Sequence, residues 1–223
     1  MVTQPARPRG RGRSVAQPPV AEWAAAQGLK IAQPESVRDP EFLKYLETLD
    51  ATTMVVVAFG QIFPKRLLAT PSPGCITVHA SLLPRYRGAA PIQAAIIAGE
   101  RVTGVTTMLM DEGLDTGPIL LQQQVEIGRE ETAGELAERL SVAGAELLIE
   151  TLDTRDASGI EPRDQNHAAA TLARRLDRRD GLIDWEVEAD CIFNLLRGLT
   201  PWPGVSTTLR DRPLKILWGR PLD

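Results

Sequence analysis

Between Asp39 and Phe59 the chain changes its hydrophobic period, and that change constrains the fold more than any other feature. In "DPEFLKYLETLD", residues 39–50, Phe42, Leu43, Leu46 and Leu49 fall at the spacing of one helical face. Asp39 stands as a plausible N-cap with Pro40 at the first helical position, so a helix is expected to Asp50. "TMVVVAF" at 53–59 follows as a β-branched run, apolar on both sides, which suits a strand of a parallel sheet covered by helices on both faces.

The same alternation runs along the chain. "VAEWAAAQ" favours a helix from Val20 to Gln27, stopped by Gly28, and "LKIA" then reads as a short strand closed by Pro34. A strand ends at His79, a helix covers Ala90 to Ala98, and "VTGVTTMLM" and "ILLQQQVEI" supply two more strands. Glu131 to Leu152 reads as the longest helix, with Leu136, Leu140, Leu147 and Leu148 near helical spacing. The expected architecture is an α/β domain with a parallel sheet over residues 1–153.

Two stretches interrupt this pattern. Residues 5–19, "PARPRGRGRSVAQPP", carry four prolines and two glycines with almost nothing to bury, and read as a loop. Residues 154–171 read as a linker, and a smaller unit over 172–223 follows it. That unit holds "LIDW", a helix near Val187 to Leu199, and two strand-like segments, "VSTTLR" and "PLKILW", around a turn at Asp211 to Pro213. Two short strands do not close a stable β-domain alone. Trp185 and Trp202 read as core or interface residues ahead of base-stacking platforms.

Composition removes several function classes. With 223 residues and 43% hydrophobic side chains the chain can bury a core. A net charge of -4 excludes a polycation, so nucleic-acid contact must come from a local patch such as Arg7, Arg9, Arg11 and Arg13. Those arginines fit a phosphate backbone, although an arginine-rich loop can also be solvated charge. Cys75 and Cys191 lie too far apart in sequence for a metal or disulfide pattern, which points to a reducing cytoplasm, and structural zinc is not expected. No apolar run approaches the ~20 residues that span a bilayer, so no membrane partner is expected.

Chemistry concentrates in two places. "CITVHASLLPRYRG" delivers His79 to the C-terminal end of a strand, where open α/β sheets put their ligand crevices. His79 is either an acid–base group or a strand-end histidine satisfied by a local carbonyl. "MDEGLDTGP" offers Asp111, Glu112 and Asp115 between two strands. They are either turn residues, or one of them reaches His79 and fixes its tautomer. The leucines of "SLLP" either pack on an apolar ligand ring or fold onto their own core.

Together the segments "VTQP", "RPRGRGR", "VVVAFGQIFP", "VHASLLPRYRGAAPIQAAIIAGE", "TGVTTMLMDEGLDTGPILLQ", "LIDW" and "PWPG" resemble the methionyl-tRNA formyltransferases, in order over nearly the whole chain. They sit within the wider group of 10-formyltetrahydrofolate-dependent transferases. The resemblance implies a Rossmann-like catalytic domain followed by the start of a smaller β-rich, OB-like, tRNA-binding domain. It also implies that family members extend beyond both ends, with a further strand, glycine-containing loop and helix before "VTQP". The implied co-substrate is 10-formyltetrahydrofolate, contacted by Ser81, Leu82, Leu83 and Pro84 and by the loop near Phe59 to Pro64. The implied acceptor is initiator methionyl-tRNA, contacted by Arg7, Arg9, Arg11 and Arg13. No metal is implied, and a monomer is expected.

The family's catalytic set is an Asn, a His two residues later and an Asp in the "LDTG" turn. His79 and Asp115 match the last two, and Thr77 holds the Asn position. A hydroxyl in place of an amide donor leads to an expectation of weak turnover. Formyl transfer to a small amine, such as an amino-sugar nucleotide or a glycinamide nucleotide, is the rival enzymatic reading. A non-catalytic folate- or RNA-binding module is a third.

Overall fold

The structure is a computed structural model that describes residues 1–9, 14–71, 74–157 and 159–222. The chain forms two compact units, Met1–Ile76 and Thr77–Asp223.

In the first unit the stretch expected to be a loop is a hairpin. β1 (Arg7–Arg9) pairs antiparallel with β2 (Ser14–Ala16), placing Arg7 opposite Ala16. Prolines at 5, 18 and 19 flank the pairing, while Pro8 lies inside β1 opposite Val15, on a two-stranded ribbon whose strands are both edges. α1 (Pro19–Ala26) starts on Pro19 at its first turn. "LKIA" makes only a bridge, Ala32 beside Val2. α2 (Pro40–Glu47) is capped as expected, with the Asp39 carboxylate accepting from the Glu41 N–H at 3.0 Å and Phe42, Leu43 and Leu46 buried. It stops short of Asp50, whose φ of 46° is left-handed and cannot continue a helix.

β3 (Met54–Val56) is shorter than the apolar run around it, and Val57 is 58% exposed. An apolar sequence on both sides therefore did not translate into burial on both faces. α3 (Lys65–Leu68) leads to β4 (Cys75–His79), which begins in this unit. The Cys75 thiol is fully buried, and burial pushes its pKa up to about 11, whereas Cys191 is exposed. Alkylation of the folded chain near pH 8, followed by mass spectrometry, is expected to label Cys191 and spare Cys75 until the chain is denatured.

In the second unit β4 delivers His79, and the chain continues through β5 (Arg87–Gly88), α4 (Pro91–Ile97), β6 (Val102–Leu109), β7 (Ile119–Glu126) and α5 (Ala133–Ala157). The sheet is mixed: β6 lies between β4 and β7, and β6 and β7 run antiparallel from Val102 opposite Glu126. The two are joined by the acidic "MDEGLDTGP" segment, so no helical crossover separates them.

α5 begins on a capping box in which Glu135 N–H donates to the Thr132 hydroxyl and Thr132 N–H to the Glu135 carboxylate. It runs to Ala157, five residues beyond the expected end at Leu152. Leu136, Leu140, Ala143 and Leu147 pack with Val105, Ile96 and Ala95 in the principal core of this unit. Gly144 lets α5 close on the sheet, because a Cβ there would lie 3.1 Å from Val78 Cγ1.

β8 (Leu172–Ala173) pairs parallel with β5, and α6 (Ala189–Gly198) is followed by the antiparallel pair β9 (Val205–Leu209) and β10 (Arg212–Ile216). Arg210 and Asp211, with φ of 50° and 61°, form the two-residue turn, and Pro213 lies inside β10 where a turn was expected. Of the two alternatives read for Trp185 and Trp202, core or interface, the core one is excluded, because they are 63% and 54% exposed. Trp185 is held at its polar edge, its indole N–H donating to the Thr207 hydroxyl at 2.8 Å. Among the described residues no helix is long and apolar enough to cross a membrane.

Candidate active site

The second unit brings His79 and Asp115 together at the end of β4. His79 is 8% exposed, and its Nδ1 faces Asp115 Oδ2 at 3.6 Å. Its Nε2 lies 2.9 Å from the Tyr86 carbonyl oxygen. A carbonyl can only accept, so Nε2 carries the hydrogen and donates it to Tyr86. In the neutral ring Nδ1 then holds the lone pair, and a proton arriving there finds a carboxylate beside it. The strand-end reading of His79 holds at Nε2, while Nδ1 faces the Asp115 carboxylate.

Asp115 adopts φ of 52° in the "LDTG" turn, a conformation Asp tolerates better than most side chains. The Gly88 N–H donates to its Oδ2 at 2.8 Å, which aims the carboxylate at the imidazole. Gly88 itself is forced: its φ is 116°, and a Cβ would lie 2.6 Å from the Ala173 oxygen. The neighbouring acids divide differently. Asp111 is a turn residue, accepting from Gly113 N–H at 3.0 Å and from the Thr116 hydroxyl at 2.7 Å, while Glu112 is exposed. Gly117 admits no side chain, since a Cβ would collide with the Leu109 oxygen.

Thr77 is half-buried and two residues before His79 on β4, so the pleat puts both side chains on one face of the sheet. Its position is that of a neighbour to the imidazole, with a hydroxyl as its sole side-chain donor.

The Ser81–Pro84 loop is folded onto this unit's own core. Leu83 packs with Met108 and Ile119, and Leu82 lies over Gly104, where a Cβ would approach Leu82 Cδ2 to 2.5 Å. Ser81 is fully buried and donates to the Arg85 carbonyl at 2.7 Å. Thr106 pins the turn by donating to Ser81 O at 2.6 Å and accepting from Leu83 N–H at 3.2 Å, and Gln122 donates to Leu83 O at 3.0 Å. Ser81 and Leu83 therefore fix the path of the loop, and the half-buried Leu82 and Pro84 are the side chains it presents. Thr106 and Gln122 lie on strands expected from the sequence, but no motif marked them as supports of the loop.

In the first unit, Phe59 and Phe63 meet edge to face at 5.7 Å between ring centres. Arg7 is exposed and donates to Gln4 Oε1 at 3.3 Å, while Arg11 and Arg13 lie outside the described residues. Arg9 is placed by its backbone in β1. A cavity of about 990 Å³ in the second unit includes neither His79 nor Asp115. Its arginines, among them Arg101 and Arg220, are balanced by Glu100, Glu126, Glu130 and Asp190.

Residues 1–152 match the family model for formyl transferase, and residues 175–223 match that for the formyl transferase C-terminal domain. The methionyl-tRNA formyltransferase of Thermodesulfovibrio yellowstonii is 50% identical over 217 residues, covering 97% of this chain and 70% of that protein. That of Solibacter usitatus is 51% identical over 222 residues, covering 100% and 71%. Among solved structures, a sugar N-formyltransferase from a Shewanella species superposes with a TM-score of 0.73 at 22% identity, covering 90% of this chain and 81% of that one. HypX from Aquifex aeolicus in complex with tetrahydrofolic acid superposes with a TM-score of 0.67 at 15% identity, covering 85% and 33%. Those two likenesses establish the fold, while half-identity across nearly the whole chain, with the histidine and aspartate already face to face, establishes kinship: the chain belongs to the formyl transferase family.

Proposed function

We infer that this chain transfers the formyl group of 10-formyltetrahydrofolate to the amino group of methionyl-initiator tRNA, and that His79, Asp115 and Thr77 form its catalytic set. The observation that carries this reading is the 3.6 Å approach of Asp115 Oδ2 to His79 Nδ1. The identity of 50% to tRNA enzymes, against 22% to a sugar enzyme, favours an aminoacyl-tRNA over an amino sugar as acceptor.

The chemistry follows from the hydrogen-bond roles. The methionyl amine attacks the formyl carbon, forming the new C–N bond, and must shed a proton as it does so. His79 Nδ1 takes that proton while Nε2–H stays on the Tyr86 carbonyl, and the Asp115 carboxylate stabilises the resulting imidazolium. The C–N bond to the folate then breaks, and the proton returns from His79 to the departing nitrogen. The formyl oxygen gathers negative charge during attack, and Thr77 offers that oxygen a single hydroxyl donor. The folate lies against the loop of Ser81, Leu82, Leu83 and Pro84, whose path the core has already fixed, so little ordering cost remains for binding.

Arg7, Arg9, Arg11 and Arg13 contact the tRNA backbone. Residues 1–153 form the catalytic region, 154–171 a connecting segment, and 172–223 the start of the tRNA-binding region. The protein acts as a monomer in the cytoplasm.

Formylation of methionyl-initiator tRNA by the purified chain, measured beside an amino-sugar nucleotide and a glycinamide nucleotide, tests the acceptor. Product on tRNA alone is expected, and product on a small amine alone overturns the reading. Replacing the four arginines by glutamine is expected to raise KM for tRNA and to lower the slope of log binding against log salt by ~1 per lost phosphate contact. An unchanged salt slope would remove the hairpin from the tRNA interface.

A further inference from the structure

The segment expected to be a linker reaches into the site. Gln165 is 5% exposed, and its amide Nε2 donates to two carbonyls of the "LDTG" turn, Asp115 O at 2.9 Å and Gly117 O at 2.7 Å. Its Oε1 accepts twice from Arg87, from Nε at 3.0 Å and from Nη2 at 2.6 Å. Both amide donors and both oxygen lone pairs are thereby used, which fixes the orientation of the amide without ambiguity. Arg87 is itself only 6% exposed, and its Nη2 also lies 3.2 Å from His167 Nδ1. The buried guanidinium strengthens the acceptor end of Gln165 and orders its donor end.

Asp115 is therefore held at two points. The Gly88 N–H holds its carboxylate, and Gln165 holds its carbonyl in the left-handed conformation. Arg87 and Gly88 are consecutive in β5, so the contacts close into a ring: strand, carboxylate, turn, amide and back to the strand. The residue before them, Tyr86, receives the His79 hydrogen bond. One short segment thus sets both members of the pair, and Gln165 ties that segment to the turn.

We propose that Gln165 is a positioning residue for formyl transfer, holding the Asp115 backbone so that the carboxylate stays opposed to His79 Nδ1. The proposal rests on the reading that this carboxylate serves His79. Gln165→Glu tests it, because the shape and the Arg87 partner are kept while both N–H donors are lost. In a crystal structure of this variant the Asp115 carboxylate is expected to move away from His79, whether or not turnover is fast.

In single-turnover formylation, the rate constant per folate-binding site at saturation is expected to fall about 10²-fold, the scale of an ångström-sized misplacement, with the 10-formyltetrahydrofolate concentration that gives half the maximal rate unchanged. Sites are counted by calorimetry with a tetrahydrofolate analogue, so a loss of folded protein does not register as a loss of rate. Asp115→Asn runs alongside. If Asp115→Asn is slow but Gln165→Glu keeps the parental rate and the 3.6 Å separation, the proposal fails and the parent reading stands. If Asp115→Asn is as fast as the parent, the parent reading fails with it. Should Gln165→Glu not melt cooperatively, Gln165→Asn carries the same expectation, and failure of both to fold assigns Gln165 to stability and overturns the proposal.

Discussion

Replacing Thr77 by asparagine is expected to raise kcat for formylation of methionyl-tRNA by ~10²-fold, the usual worth of one donor aimed at a developing oxyanion. The two-residue period of β4 puts position 77 on the face that carries His79. Threonine ends at a hydroxyl on Cβ, while asparagine carries an N–H donor one bond farther out, at the end of a planar amide. The exchange works against stability, because threonine suits a strand better than asparagine on a scale that spans about 1 kcal/mol. A faster enzyme with an equal or lower Tm is therefore the specific expectation. A parent chain that gains nothing from the change would show that the Thr77 hydroxyl already supplies the donor, or that the oxyanion is held elsewhere.

The second large effect is at Asp115. Asp115→Asn preserves volume and leaves an oxygen for the Gly88 N–H, but removes the charge that faces His79 Nδ1. A neutral amide cannot stabilise the imidazolium, because with its oxygen kept on the Gly88 N–H the atom that faces Nδ1 is an uncharged acceptor. The rate is expected to fall ~10²–10⁴-fold, the range for losing acid–base assistance, with folate affinity nearly unchanged. A loss confined to KM would instead make Asp115 a binding residue. Steady-state kinetics with both substrates varied distinguish the two.

The periodicity of the chain carried most of the architecture. Strand β4 ending on His79, strands β6 and β7, and helices α2, α4 and α5 all lie where their hydrophobic spacing puts them. Errors arose where local chemistry was weak or ambiguous. A proline- and glycine-rich segment closed as the hairpin of Arg7–Arg9 with Ser14–Ala16, because pairing satisfies backbone groups that composition does not reveal. The run around Val55 and Val57 kept its exposed side, since apolar sequence states a preference for burial and the neighbouring elements decide whether it is met. The antiparallel pairing of β6 with β7 was hidden because the two strands read the same in either direction.

The site divides along the same line. His79 and Asp115 were legible as a histidine at a strand end and an acid in a glycine-bounded turn; spacing alone left Asp111, Glu112 and Asp115 open, and the family resemblance of the "LDTG" turn singled out Asp115. The groups that aim the pair are a carbonyl from Tyr86, an N–H from Gly88 and the amide of Gln165. Main-chain atoms leave no mark in residue identity. A glutamine in a polar stretch gives no sign that it is buried, so the most connected support of the turn sat in what read as a linker.

In the proposed mechanism His79 takes the proton released when the methionyl amine attacks the formyl carbon. Single-turnover transfer of labelled formyl from 10-formyltetrahydrofolate to methionyl-initiator tRNA, by the parent chain and by His79→Ala, measures that role. Label on the methionyl amine is expected with the parent, and a rate lower by ~10²–10⁴-fold with His79→Ala. Equal rates for the two proteins would remove His79 from the proton transfer.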